Sequence, residues 1–339
     1  MLFFLLLLLL CLPAPSFSSS SSSSSFPTST LSLPKKAAQL LQISIQNVIH
    51  TTDSSSGPVL SVDEDKLLSY MSMGIGSFLD SPTSSSDLPV SAFPPSEYSK
   101  LSPSSLLTLL QLSSSSFSSS SSSSSPPPLL LLPIFAIDSI HGASYLQSST
   151  LLPQPINQAA TFDPSSAFAA GATAASETLA LTSGAYRWVF SPLLGVASNP
   201  LWSRVWETYG SSPTLVAAFA RAATSGIQSL SVIPSAKHYR GYSRTPTGAD
   251  RSYPSSSHPD DAKVWSSVLA GPAPPQTIMT SYTSVNGRVP TTADVRTLTL
   301  ELRGRNKYGK RARCYTAEAW RESDPSRTAP FLSPIRGCS

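Results

Sequence analysis

From Leu129 onward, short apolar runs alternate with segments of helical period. The run that ends at Ile137 is continuous and bounded by Pro133, the mark of a strand covered on both faces of a parallel sheet. Helical periodicity follows around Ser165 to Thr182, then a strand at Trp188–Ser191 and a helix from Ser212 to Ser225. A strand from Ser231 to Ala236, a helix from Asp260 to Ala270 and a strand from Thr277 to Tyr282 complete the series. Strands alternating with helices of roughly ten to fifteen residues predict βα units on a parallel sheet. Their number, and the polar groups at their C-terminal ends, favour an α/β fold of the (β/α)₈ TIM-like barrel type over an open sheet. There is room for about seven of the eight strands, so the barrel is expected to be incomplete at its C-terminal end.

Upstream the pattern is less regular. Ala38, Leu40 and Leu41 share a helical face, and Ile43-Ser-Ile45 turns to strand alternation. Asp63 to Met73 reads as a helix with Asp63 or Ser61 as its N-cap, and Gly74 to Leu79 as a short strand. A further helix is expected over Pro95 to Leu112, running into a serine-proline insert at 113–128 that is expected to be a disordered surface loop.

Composition changes the picture at the two ends. Met1 to Leu12 is apolar over the length of a signal-peptide core, and Pro13 to Ser18 supplies breakers and small residues for cleavage. Residues 1–17 are therefore expected to be a signal peptide and 18–32 a serine-rich tether, which places the protein in the secretory pathway or outside the cell without stable membrane insertion. The net charge of +4 carries little information about partners. Nine of the 23 Lys/Arg but only four of the 19 Asp/Glu lie in residues 301–339, so the rest is nearly neutral. With no basic stripe interleaved with aromatics, nucleic-acid binding is excluded. Cys and His show no metal-ligand spacing, and no metal or other cofactor is expected. No sequence feature marks an oligomeric state.

The candidate chemistry sits at the strand ends. Asp138 and His141 follow the first, Trp202 to Gly210 with Arg204 follows the second, Lys237 and His238 the third, and Tyr282 the fourth. On a barrel these converge at one face. A carboxylate, fixed cations and a phenol suit a polyhydroxylated ligand, whose ring hydroxyls both donate and accept. Phosphate fits poorly, since no glycine-rich anion loop is present.

The segments Ala136-Ile-Asp-Ser-Ile-His-Gly142, Leu152-Pro-Gln-Pro-Ile-Asn-Gln-Ala-Ala-Thr-Phe162, Val189 to Gly210, Lys237-His238 and Met279-Thr-Ser-Tyr-Thr-Ser-Val-Asn-Gly287 resemble glycoside hydrolase family 3. The likeness is to its β-glucosidases and glucan exohydrolases, and runs in order from about Lys36 to Leu302. It implies a barrel domain over 33–302 and a retaining mechanism with an oxocarbenium-like transition state. It also implies a pocket for the terminal glucose of a β-glucoside or β-glucan oligosaccharide, with Asp138, Arg204, Lys237, His238 and Tyr282 binding its hydroxyls. Tyr242 stands where the family's N-acetylglucosaminidases carry a histidine. Read by themselves, Arg204 could simply pair with Glu207, and Trp188, Trp202 and Trp206 are packing residues rather than sugar platforms.

The likeness fails where catalysis should be. In the family, the nucleophilic aspartate follows a Ser or Thr at the end of the next strand. Here Thr316 aligns with that hydroxyl residue and Ala317 takes the place of the aspartate. Glu318 and Asp324 are the nearest carboxylates and inherit no role. The acid/base of the family belongs to a second domain for which the basic, divergent tail 303–339 leaves no room. The expectation is a β-glucosidase-like hydrolase impaired as written. A non-catalytic sugar-binding pseudoenzyme and a truncated gene product are the alternatives.

Overall fold

A computed structural model describes residues 31–55, 57–83, 89–117, 131–250 and 258–283, with two further strands at 315–317 and 332–334. The expected signal peptide and most of the expected tether (residues 1–30), the insert beyond Phe117, and the stretch 310–314 before Tyr315 lie outside the described residues.

In chain order, α1 (Leu33–Ala38) leads to β1 (Gln42–Ser44), and β2 (Ile49–Ser54) pairs with β3 (Gly57–Val62) as an antiparallel hairpin. Helix α2 (Glu64–Met73) is capped by Asp63, whose carboxylate accepts from the Lys66 amide at 3.0 Å. Strand β4 (Ser77–Leu79) follows, then α3 (Pro95–Lys100) and α4 (Pro103–Phe117). The single helix expected over 95–112 is thus two. Pro103 has no N–H to donate back and turns the residue before it out of the helical region, so the chain breaks at Leu101–Ser102. The helix also runs beyond its expected end, through Ser113–Phe117 of the insert. Each residue added to a formed helix gains a backbone bond, and the Ser113 hydroxyl donates to the Leu110 carbonyl at 2.8 Å.

The remainder alternates as expected: β5 (Ile134–Ile137), α5 (Pro155–Ala159), α6 (Ser165–Leu181), β6 (Tyr186–Val189), α7 (Pro213–Gln228), β7 (Ile233–Tyr239), α8 (Pro259–Leu269) and β8 (Thr277–Thr280). Strands β9 (Tyr315–Ala317) and β10 (Leu332–Pro334) extend the same sheet. Its order is β1-β4-β5-β6-β7-β8-β9-β10, parallel throughout except for the last pair. Consecutive strands lie side by side, as in a (β/α)₈ barrel, but the described sheet ends at β1 and β10 and forms an incomplete barrel.

Two faces of this sheet are apolar, which is why its strands read as continuous hydrophobic runs. Phe135 stacks on Phe78 (centroids 5.2 Å apart) and tilts against Tyr186 on the helical side. Ala136, Trp188 and Phe190 fill the inner side, where the Trp188 indole donates to Thr277 Oγ1 at 2.8 Å. Burying Phe135 alone contributes about 1.5–3 kcal/mol. On the outside α6 and α7 approach at backbone distance, because Gly226 offers no side chain where the Phe168 carbonyl lies.

Candidate functional site

Each candidate residue leaves the C-terminal end of a parallel strand. Asp138 follows β5 directly, and Lys237 lies near the end of β7. Lys237 is 1% exposed and its ammonium sits 2.7 Å from Asp138 Oδ1, whereas the Asp138 side chain is 46% exposed. The lysine is held by its backbone as well: its N–H donates to the Pro192 carbonyl (3.0 Å), and its carbonyl accepts from Leu194 (2.6 Å). A period-two strand would turn the next residue away, but β7 bulges here. Lys237 pairs with Met279 and Tyr239 with Thr280, leaving His238 as the extra residue. Lys237, His238 and Tyr239 are all buried as a result.

Arg204 comes from the long loop after β6, at the start of a single 3₁₀ turn, Val205–Glu207. In a 3₁₀ turn residues three apart share a side, so Arg204 and Glu207 meet in a two-pronged ion pair, Nε to Oε1 at 2.8 Å and Nη2 to Oε2 at 2.5 Å. The remaining prong, Nη1, lies 3.3 Å from His238 Nε2, and the guanidinium stands 5.6 Å from the centre of the Tyr242 ring. Burial, and then the charges of Arg204 and Lys237, push the His238 pKa well below its ordinary value. The ring is therefore neutral. It accepts from Arg204 at Nε2, which leaves the proton on Nδ1, and Nδ1 has no partner among the described residues.

A cavity of about 190 Å³ opens between these groups, lined among others by Asp138, His141, Tyr145, Gln154, Arg204 and Glu207. Of the five residues expected from the sequence, Asp138 and Arg204 line it. Lys237 and His238 are bonded to those two. Tyr282 stands apart, in a cluster with Leu193, Trp202 and Tyr242, its ring 6.1 Å from that of Tyr242. His141 fastens the loop, its Nδ1 lying 3.1 Å from the Leu152 carbonyl. Trp188 and Trp202 are buried packing residues, but Trp206 is 60% exposed. Tyr145 and Gln154 went unrecognised because nothing in their spacing marks them. Glu207 was legible only as a partner for Arg204.

The lining offers carboxylate and carbonyl acceptors beside guanidinium, phenol and amide donors, a set suited to hydroxyl groups. Both of its carboxylates are already matched to a cation, Asp138 to Lys237 and Glu207 to Arg204. Nearby, burial raises the Asp80 pKa against a hydrogen bond from Ser44, and the charge of Asp138 adds to the rise.

Residues 107–308, more than half of the chain, match the Glycosyl hydrolase family 3 N terminal domain, and the chain belongs to that family. The lysosomal beta glucosidase of Dictyostelium discoideum is 37% identical over 129 residues, covering 35% of this chain and 15% of that protein. Among solved structures, the exo-1,3/1,4-beta-glucanase of a Pseudoalteromonas species superposes with a TM-score of 0.63 at 22% identity, over 86% of this chain and 33% of its own. The beta-glucosidase of Listeria innocua in complex with glucose gives 0.57 at 19% identity, over 81% and 35%. A mutant of that enzyme in complex with laminaribiose gives 0.56 at 20%, over 86% and 36%. The chain thus spans 15% of the curated relative and about a third of these solved chains. No helix among the described residues is long and apolar enough to cross a membrane.

Proposed function

We propose that this member of glycosyl hydrolase family 3 is a β-glucosidase-like protein that holds the non-reducing terminal β-D-glucosyl unit of a β-glucoside or β-glucan oligosaccharide in the cavity beside Asp138. The observation that carries the reading is the convergence of the Asp138–Lys237 and Arg204–Glu207 pairs, from separate strand ends, on one sugar-sized cavity. Asp138 accepts from a ring hydroxyl and Arg204 donates to its neighbour. Lys237 and His238 complete the polar set behind them, while Tyr282 stays outside the lining in its cluster with Tyr242. Charge-assisted bonds of this kind fix ring orientation as well as affinity.

A retaining reaction would need one carboxylate to attack the anomeric carbon and another to protonate the leaving oxygen, about 5–5.5 Å apart. Strand β9, which pairs with β8 where the family's nucleophile strand belongs, ends at Ala317 opposite Met279. Alanine has no oxygen to attack with. Asp138 and Glu207 are each neutralised by a cation and are poor substitutes. The chain as written therefore binds sugar with impaired turnover. Its apolar leader and the lysosomal relative support entry into the secretory pathway, with secretion as its course.

The test is calorimetric titration of the 339-residue chain with glucose, beside release of p-nitrophenol from an aryl β-glucoside. Binding without release is expected. Release above a D138A/R204M control would overturn impaired catalysis, and absence of any binding would overturn the sugar site itself.

A further inference from the structure

The ion pair that fixes Arg204 is a local one. Glu207 lies three residues on, across the same 3₁₀ turn, so the pair sets the guanidinium relative to its own turn and not relative to Asp138 at the end of β5. The ties to the sheet are different ones. Nη1 reaches His238 Nε2 on β7 at 3.3 Å, and the guanidinium lies over the Tyr242 ring, 5.6 Å from its centre. Tyr242 also meets the His238 ring edge-on, with centroids 4.8 Å apart. One buried ring thus backs both the cation and the histidine to which that cation bonds.

The ring is itself held in place. Trp202 stands edge-on to it, centroids 5.4 Å apart, and Leu193 and Tyr282 complete the cluster. Two hydrogen bonds fasten the loop that carries Tyr242 to the loop that carries Arg204. The Ser243 hydroxyl donates to the Val196 carbonyl at 2.8 Å, and the Asn199 amide donates to the Thr245 carbonyl at 3.1 Å. Ser243 comes this close because Gly195 has no side chain: a methyl there would stand 2.8 Å from the Ser243 hydroxyl. The separation of ring and guanidinium is therefore set by both loops together. A cation held over an aromatic face away from water interacts with it more strongly than one on an open surface.

We propose that Tyr242 is a positioning residue for the sugar site: its ring aims the Arg204 guanidinium at a sugar hydroxyl, and it acts on the sugar only through Arg204. The inference rests on the sugar-binding reading above. Tyr242 does not line the cavity, whereas Arg204 does. Every contact named here is made by the ring, so the aromatic face carries the role and the hydroxyl does not. Without the ring, Arg204 keeps Glu207, which moves with its own turn, and a bond to a histidine that has lost its wall.

Two readouts on the 339-residue chain test this: calorimetric titration with glucose, and the Arg204 Nε–H signal in nuclear magnetic resonance. They are compared across the wild type, Y242F, Y242F with a fully fluorinated ring, and Y242L. Fluorine drains the negative face of the ring while nearly keeping its shape. Y242F should bind glucose within about twofold of the wild type. The fluorinated ring and Y242L should each weaken glucose by roughly three- to tenfold and shift the Arg204 signal. Y239L is the control. Tyr239 is as buried and packs edge-on against Trp265 of α8, so its loss should lower the melting temperature and leave both readouts in place. An unmoved Arg204 signal, a loss of affinity that the fluorinated ring does not share with Y242L, or an equal loss in Y239L would overturn the role of Tyr242 and leave the glucose site standing. Should Y242L not fold, the fluorinated ring decides alone. Failure of the wild type to bind glucose would overturn the sugar reading and this role with it, even where the Arg204 signal moves.

Discussion

Replacing Asp138 by alanine exposes an energetic asymmetry in the site. Its partner Lys237 is 1% exposed while Asp138 is 46% exposed, and their charges are 2.7 Å apart. At that separation the attraction is about 6 kcal/mol at an effective dielectric constant of about 20, and about 1.5 kcal/mol in bulk water. Breaking a fully buried pair costs about 3–5 kcal/mol, because the charge left behind has neither water nor partner. Water reaches the Asp138 side of this pair, which places D138A just below that range, at about 2–3 kcal/mol. The reverse change, K237M, leaves a carboxylate that water can solvate and fills the buried stem with an apolar one, so it costs less than about 1 kcal/mol. The double variant D138A/K237M should then be more stable than D138A alone. Urea unfolding measures all three. With m near 2 kcal/mol/M, D138A lowers the midpoint by about 1–1.5 M and adding K237M restores most of it. A double variant no more stable than D138A, or single variants of equal cost that simply add, would refute the reasoning.

His238 gives the fold a pH dependence. Its folded pKa is depressed, so below the ordinary histidine value of about 6.5 the unfolded chain takes up a proton that the folded one refuses. Stability attributable to this ring should fall as pH drops through that range, by up to about 1.4 kcal/mol per pH unit. Urea midpoints between about pH 7.5 and about pH 5 should therefore slope more steeply for the wild type than for H238N, and identical slopes would contradict a buried neutral ring. At the contact between α6 and α7, G226A sets a methyl against the Phe168 carbonyl. The helix-propensity gain of alanine, about 1 kcal/mol, is smaller than the cost of separating the helices, so a net loss of about 1–2 kcal/mol is expected. A raised melting temperature would show that the backbones do not touch.

The regular α/β part was legible because its elements obey one rule each. The helix expected from Ser165 to Thr182 runs from Ser165 to Leu181, and the strand expected to end at Ile137 ends there. What escaped has physical reasons. The hairpin of β2 and β3 is polar and largely exposed along its first strand, so it carries no hydrophobic signature. The strand expected to stop at Ala236 continues to Tyr239, because a lysine and a histidine interrupt the apolar pattern at the point where the site begins. Of the residues the family likeness pointed to, Asp138 and Arg204 line the cavity, Lys237 and His238 are bonded to them and Tyr282 stands apart, a division that was not readable. Lys237 and His238 stand behind Asp138 and Arg204, because those positions depend on a bulge and a 3₁₀ turn rather than on spacing along the chain.

The bulge at His238 also has an evolutionary meaning. Before it, β7 keeps step with β8, residue for residue from Ser235 to Lys237, and any substitution there is judged by how it fits the barrel. After it, the two strands are out of phase by one, and Tyr239 opposite Thr280 begins a new frame. His238 is thus the seam between a scaffold and what the scaffold displays. Residues downstream, including Tyr242 and the loop toward α8, can be exchanged without resetting the register of the strand that presents them. A lineage could rework or lose its chemistry at that face while inheriting the sheet intact.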